Sequence, residues 1–228
     1  TSDNQGANIM AQSDLFWGSV GHSLKYGVQY FEQKLSFDSD LDSANNIIDQ
    51  SSESIALFLE DEIAINNQFR LRPGVRVVDQ EITYLETNQT GSYDDVLFAL
   101  AGEFDLAPNL TLLASYTELF QAPELAEPFS GAGGNKIVNP LLEPESGENL
   151  EIGFRWQNEV YGGVLGLGAN LFDTRLENYI AEVDVPGTTT GETMDENLGR
   201  VKIKGLEASA NYQLGPWDFF LTYNQSKF

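Results

Sequence analysis

Alternation of apolar and polar residues with a period of two runs through most of this chain, and it limits the fold more than any other feature. In Asn149–Gln157, Leu150, Ile152, Phe154 and Trp156 point one way, while Glu151, Gly153, Arg155 and Gln157 point the other. In Phe69–Val77 the apolar set is Phe69, Leu71, Val75 and Val77, set against Arg70, Arg72 and Arg76. The same rhythm appears at Leu24, Tyr26, Val28 and Tyr30, at Val96, Phe98, Leu100, Phe104 and Leu106, and at Leu206, Ala208, Ala210, Tyr212 and Leu214. Successive side chains of a strand face opposite sides of its sheet, so each segment reads as a strand with one apolar face. No amphipathic helix of convincing length competes, and the chain is expected to be all-β.

About ten strands are expected, near 8–16, 22–35, 53–65, 69–86, 93–106, 110–120, 148–157, 163–181, 196–214 and 217–228. Two places break the rhythm. Asp61 falls on an apolar face, and the pattern shifts phase between Val77 and Ile82, as a β-bulge would cause.

The connections alternate in length. Short ones, rich in Gly, Asn and Pro, lie near 17–21, 66–68, 107–109, 158–162 and 215–216. Longer ones lie near 36–52, 87–92, 121–147 and 182–195. With strands running up and down, every short turn falls at one end and every long loop at the other. Transmembrane barrels of the bacterial outer membrane show this asymmetry, with short periplasmic turns and longer extracellular loops. Strand length agrees: a tilted strand crosses the bilayer core with ~9–11 residues, whereas strands in soluble proteins usually have ~5–6. Trp17, Tyr26, Tyr30, Trp156, Tyr161, Trp217 and Tyr223 lie at or near strand ends, where an interfacial girdle forms. A soluble antiparallel β-protein would share the alternation but seldom so many long strands.

Composition removes several function classes. The net charge of −23 argues against nucleic acid, since no basic patch offsets the repulsion of a polyanion. The absence of cysteine excludes disulfides, iron–sulfur clusters and thiol catalysis. No stretch approaches the ~18 consecutive apolar residues of a transmembrane helix. Catalysis finds no support: there is no Ser/His/Asp grouping on a credible turn, no metal-binding His pair and no glycine-rich phosphate loop. The single histidine, His22, begins a strand at a short turn, at the end opposite the extracellular rim where a protease barrel would need it. Asp38, Asp40, Asp42 and Asp49 share one long loop, but their spacing lacks the Gly and Glu of a calcium-binding EF-hand loop, so they read as a solvated acidic surface. Arg70, Arg72 and Arg76 are expected to face a polar barrel interior.

The longest loop carries the most specific sequence. After the strand through Tyr116 come Phe120-Gln121-Ala122-Pro123, then Asn139-Pro140-Leu141-Leu142-Glu143-Pro144-Glu145, and then Glu151-Ile152-Gly153. This arrangement resembles the paired signature of TonB-dependent outer-membrane receptors, in particular the haem and haemoprotein receptor branch: an FRAP-like element, a loop, and an NPNL-like element leading into a strand. Pro73-Gly74-Val75-Arg76 and Lys204-Gly205-Leu206-Glu207 are similar to recurring strand segments of the same barrels. The resemblance implies a transmembrane antiparallel barrel of 22 strands, of which this chain supplies about ten. It implies a separate plug domain inside the barrel, absent here together with the last strands, so that both ends read as cuts.

The resemblance further implies a receptor in the Gram-negative outer membrane, embedded in its lipid, and not an enzyme. It would take up haem, a haemoprotein's haem or a siderophore as cargo, with no cofactor of its own, driven by the TonB inner-membrane energy-coupling complex. Loop 121–147 is expected to face the ligand, with Phe120, Gln121, Ala122, Pro123, Asn139, Pro140, Leu141 and Leu142 as candidate binding residues, the alternative being that both motifs only shape the loop base. Prolines 123, 128, 140 and 144 stiffen the loop and Gly131, Gly133 and Gly134 loosen its tip. Two departures bear on the cargo. Gln121 stands where the family motif carries Arg and Leu141 where it carries Asn, and residues 124–138 contain neither the His nor a Tyr that would bind haem iron. A passive diffusion porin is the rival from the same fold class.

Overall fold

Each alternating segment becomes a strand in the computed structural model, which describes residues 2–39, 46–84, 89–125, 136–137, 139, 141–187 and 192–228. In chain order the strands are β1 (Ser2–Trp17), β2 (Val20–Ser39), β3 (Asn46–Ala64), β4 (Phe69–Tyr84), β5 (Gln89–Ala107), β6 (Leu110–Gln121) and β7 (Lys136–Ile137). They continue as β8 (Glu145–Val160), β9 (Gly163–Glu177), β10 (Ile180–Asp184), β11 (Thr193–Asn197), β12 (Val201–Leu214) and β13 (Trp217–Lys227). Ten of them form one antiparallel sheet in the order β1-β2-β3-β4-β5-β6-β8-β9-β12-β13; β10, β11 and β7 form a small second sheet.

The register aligns the apolar residues in rows. One row crosses Ile9, Val28, Leu57, Val77 and Val96. Another crosses Phe69, Phe104, Leu112, Phe154, Ala169, Ala208 and Tyr223. This face carries little cover: Leu57 is 56%, Ile152 62% and Leu171 54% exposed. A contiguous apolar surface of this extent is what lipid, not water, would cover. On β4 the band runs from Phe69 to Val77 and then gives way on the same face to Asp79, Glu81 and Thr83. Nine residues match the ~9–11 that a tilted strand needs. The short-turn end carries exposed Trp17, Tyr161 and Trp217, with Trp217 and Phe219 stacked at 6.5 Å between ring centroids. There the chain reverses tightly, for instance through Tyr161 (φ 49°) and Gly162 (φ 79°), the left-handed pair that a two-residue hairpin requires.

The opposite face is polar and internally paired. Arg70 bonds Glu103 and Asp105, each at 2.9 Å, and Arg72 bonds Glu62 at 2.7 Å. Arg155 reaches the same Glu103 at 3.3 Å, and Arg76 donates to Gln29 at 2.7 Å. The arginines therefore lie on the lumen side, as the alternation requires.

Several expectations need correction. No bulge separates Val77 from Ile82: β4 pairs with both neighbours in unbroken register there. The phase shift instead marks the level where the inward face turns apolar, because Val78 and Ile82 pack inside the long-loop end. The register irregularity falls instead at Asp105/Ala107, at the short-turn end of β5. The strand expected over 163–181 ends at Glu177, where Asn178 takes a positive φ of 55°, and the loop expected over 182–195 contains most of the β10–β11 hairpin, so β12 starts at Val201 and not 196. The expected loops 36–52 and 87–92 are largely strand, since β2 runs to Ser39, β3 begins at Asn46 and β5 begins at Gln89, so Asp38 and Asp49 stand on paired strands and not in a loop. Asp61 does lie on the apolar face, and its partner is His22: Nδ1 and Oδ2 are 2.7 Å apart, so the two sequence anomalies answer one another.

Candidate functional site

The two loop motifs are positioned by a local opening of the sheet. β5 and β6 pair only up to Ala99 and Thr117. Beyond that level the Phe98 N–H, which has lost its ladder partner, donates to the Glu118 carboxylate at 2.8 Å. β6 meanwhile keeps pairing with β8 as far as Gln121 and Glu145. Released from β5, the end of β6 leans across the inward face of the wall. Pro123 fixes the bend, since it offers no N–H to any further ladder.

Ala122 packs with Ile82 and Tyr93, flanked by Tyr84, Phe120 and Leu125. Ile82 is 0% exposed and Pro123 is fully enclosed. Tyr93 lies in the part of β5 above the apolar band, and burial raises its pKa, so the phenol stays protonated. Between this cap and the wall lies a cavity of about 640 Å³, whose lining includes Arg76, Gln80, Ser52, Gln33, Val78 and Gln121. Gln80 donates to Ser52 at 3.0 Å, which fixes part of its polar rim. The cavity opens toward the lumen at the long-loop end.

The second motif docks elsewhere. Asn139 donates to the Asp195 carbonyl at 2.8 Å and accepts from the Leu141 N–H at 3.1 Å. β7 adds in parallel to β11, pairing Lys136 with Thr193 and Ile137 with Met194. Asn197 then takes the Glu143 carbonyl at 3.0 Å and the Asn178 carbonyl at 2.7 Å, while its Oδ1 accepts from the Glu143 N–H at 3.0 Å. Ile180 N–H donates to the Glu145 carboxylate at 2.7 Å. The base of the long loop is thus stitched to the β10–β11 hairpin.

The eight candidates divide accordingly. Ala122, Pro123 and Leu142 are buried and hold the loop base. Phe120 packs against the cap, and Asn139 ties the hairpin. Gln121 and Leu141 are exposed, Leu141 by 83%. Pro140 lies outside the described residues, as do 126–135. Sequence reasoning missed Asn178 and Asn197; neither stands in a periodic pattern, so only their contacts reveal them. Among the described residues no group of His, Cys, Asp and Glu could hold a metal ion. The cavity presents amide side chains, one guanidinium and an apolar cap.

Comparison with known proteins agrees with this geometry. Residues 1–227 match the family model "TonB dependent receptor-like, beta-barrel". A hemin receptor of Yersinia pestis is 26% identical over 250 residues, covering 98% of this chain and 35% of its own length. The ferripyoverdine receptor of Pseudomonas aeruginosa is 26% identical over 182 residues, covering 78% of this chain and 21% of its own. Among solved structures, the Serratia marcescens hemophore receptor HasR, in complex with its hemophore HasA and heme, superposes with a TM-score of 0.80 at 19% identity, over 100% of this chain and 42% of that one. The chain spans about a third or less of these curated relatives' length. With its outward apolar rows, polar lumen and family-wide match, the chain belongs to the TonB-dependent receptor β-barrel family.

Proposed function

We propose that this chain is wall and ligand-facing loop of a receptor that imports an iron complex, haem or a ferric siderophore, across the Gram-negative outer membrane. The observation that carries the reading is the cap of Phe120–Pro123 over the inward wall, which creates a polar cavity beside Arg76 at the mouth of the lumen. Haem propionates and ferric siderophores are both anionic, and a guanidinium among amide side chains complements such groups. The relatives named for hemin and for ferripyoverdine support this ligand class and leave both members within it. In this reading outer-membrane lipid covers the apolar face, a plug domain fills the lumen, and the TonB inner-membrane complex supplies the energy. The cargo is held by contact, with no resident cofactor.

Absence of His and Tyr from 124–138 directs the reading away from axial ligation of haem iron by this loop. Binding would then rest on the periphery of the ligand, as suits a chelate whose iron is already saturated. Growth of a deletion strain on haem or on individual ferric siderophores as sole iron source tests the proposal. Impaired growth on one of them, restored by the wild-type gene, is expected. Equal growth of mutant and parent on every iron source would overturn it, and uptake that persists without inner-membrane energy would favour a diffusion porin.

A further inference from the structure

Five of the six arginines in this chain hold carboxylates, and the sixth does not. Arg70, Arg72, Arg155, Arg175 and Arg200 each pair with an acid within 3.3 Å. Arg76 forms no ion pair with any described residue, in a chain where acidic residues outnumber basic ones by 35 to 12. The acids near it on the inward face are committed elsewhere. Glu60 and Glu62 serve Arg72 at 3.7 and 2.7 Å. Asp95, the register partner of Val78, accepts from the Val96 N–H at 2.7 Å. Glu124, the one acid among the described residues that line the cavity under the cap, has a partner of its own.

Arg76 therefore presents an open donor edge. Its Nη1 donates to Gln29 Oε1 at 2.7 Å, which holds the side chain from β2. Nε and Nη2 have no partner among the described residues. Those two nitrogens form one side of a planar fork, and a carboxylate fills such a side with two parallel hydrogen bonds. Arg76 is half-buried, with Phe58 and Leu97 as register partners, so an anion held there is screened less than at an open surface. Around it the cavity offers Gln33, Ser52, Ser54, Gln80 and Gln121, which bring hydrogen bonds and no second cation. One guanidinium among neutral amides and hydroxyls matches a single carboxylate. A ferric tris-catecholate, with its multiple negative charge, would meet one cation and the acid Glu124.

We propose that Arg76 determines which cargo is accepted, by binding a carboxylate of the iron complex side-on through Nε and Nη2, and that Gln29 positions the guanidinium for it. The inference rests on the reading of this cavity as the cargo site, and narrows the ligand to iron complexes that carry a free carboxylate. A haem propionate and the carboxylate arm of a siderophore share that chemistry. Arg76 is the specificity-determining group and touches no iron; Gln29 acts only through it.

The test is a fluorescence-quenching titration of the intact receptor in detergent with a panel of ferric complexes. Haem and ferric citrate carry free carboxylates; haem dimethyl ester, a ferric tris-catecholate and a ferric tris-hydroxamate carry none. Wild type is expected to bind haem or ferric citrate most tightly, which also tells the two sources apart. Arg76→Gln is expected to weaken that complex about 10- to 100-fold, and to bind haem dimethyl ester as wild type does. Gln29→Glu keeps the guanidinium but supplies a resident carboxylate, and is expected to weaken binding as much; a purely structural Arg76 would leave it unchanged. Should Arg76→Gln fail to fold, Gln29→Glu gives the same comparison, and Arg175→Gln, an outward cation, is expected to bind as wild type. Tightest binding of a complex without carboxylate, haem dimethyl ester bound as tightly as haem, or wild-type affinity in Gln29→Glu would overturn the proposal. Failure of every complex to bind would overturn the reading of the cavity as a cargo site, a separate result.

Discussion

The Asn139 side chain donates a 2.8 Å hydrogen bond to the backbone carbonyl of Asp195, 56 residues further along the chain. That bond, with the Asn197 bonds to Glu143 and Asn178, ties the base of one long loop to the hairpin of the next. Loops mounted this way keep a fixed geometry on the wall that carries them.

Asn139→Ala removes both the bond to Asp195 and the turn bond to Leu141. The expected cost is about 1–3 kcal/mol, confined to the loop base because the ten-stranded sheet makes no use of these atoms. Hydrogen exchange should quicken at 180–184 and 193–197 and stay unchanged in β3 and β4. Unchanged exchange in the hairpin would show that Asn139 does not hold it.

Buried and exposed members of the candidate site should behave oppositely. Ile82→Ala removes a side chain with 0% exposure beneath Ala122 and is expected to cost about 2–5 kcal/mol, loosening the cap. Leu141→Ala, at 83% exposure, should change stability by less than about 0.5 kcal/mol. If Leu141 touches the ligand, its truncation weakens binding of the iron complex at constant stability; titration calorimetry together with urea unfolding separates the two effects.

His22 and Asp61 form a polar pair on the apolar face, with side chains 20% and 19% exposed. His22→Leu strands the carboxylate among Leu24 and Ile63 and is expected to cost about 1–2 kcal/mol, reduced from the fully buried case by partial exposure. His22→Leu/Asp61→Leu should recover most of that loss, since it removes the uncompensated charge. Unfolding of receptor refolded into lipid vesicles reads both, and a double variant weaker than the single one would contradict the pairing.

Gly205 lies under the ring of its register partner Phe172, and a Cβ there would fall on that ring and within 2.7 Å of the Gln225 carbonyl. Gly205→Ala is expected to destabilise the β9–β12–β13 sheet by about 1–3 kcal/mol. Phe172→Ala in the same chain should relieve part of the strain, a coupling that a double-mutant cycle in urea would show.

The wall of this protein was legible in its sequence because period-two alternation is a strong signal wherever one face must be apolar over a whole membrane thickness. Val75, Val77, Val96 and Ile152 fall where that argument puts them. It failed at Val78 and Ile82, where the inward face becomes apolar to receive Ala122; an alternation that changes sides looks like a bulge until its long-range partner is known. Asp61 looked like an error for the same reason, its partner lying 39 residues away. The candidate site was half legible. Motif residues marked the loop whose two ends fold onto the inward wall and the hairpin, but that Asn139 grips the β10–β11 hairpin rests on contacts over 56 residues that no local pattern encodes.

The central claim is that the apolar rows meet lipid while the alternate residues line a lumen. This chain has no cysteine of its own, so single cysteines at 75, 76, 77 and 78, each spin-labelled in the intact receptor in lipid vesicles with any cysteine outside the chain replaced by serine, give the reading. Labels at 75 and 77 should be relaxed by membrane-dissolved oxygen and shielded from a water-soluble nickel chelate, and labels at 76 and 78 shielded from oxygen. Equal oxygen accessibility at all four positions, or access of the nickel chelate to 75 and 77, would contradict the account.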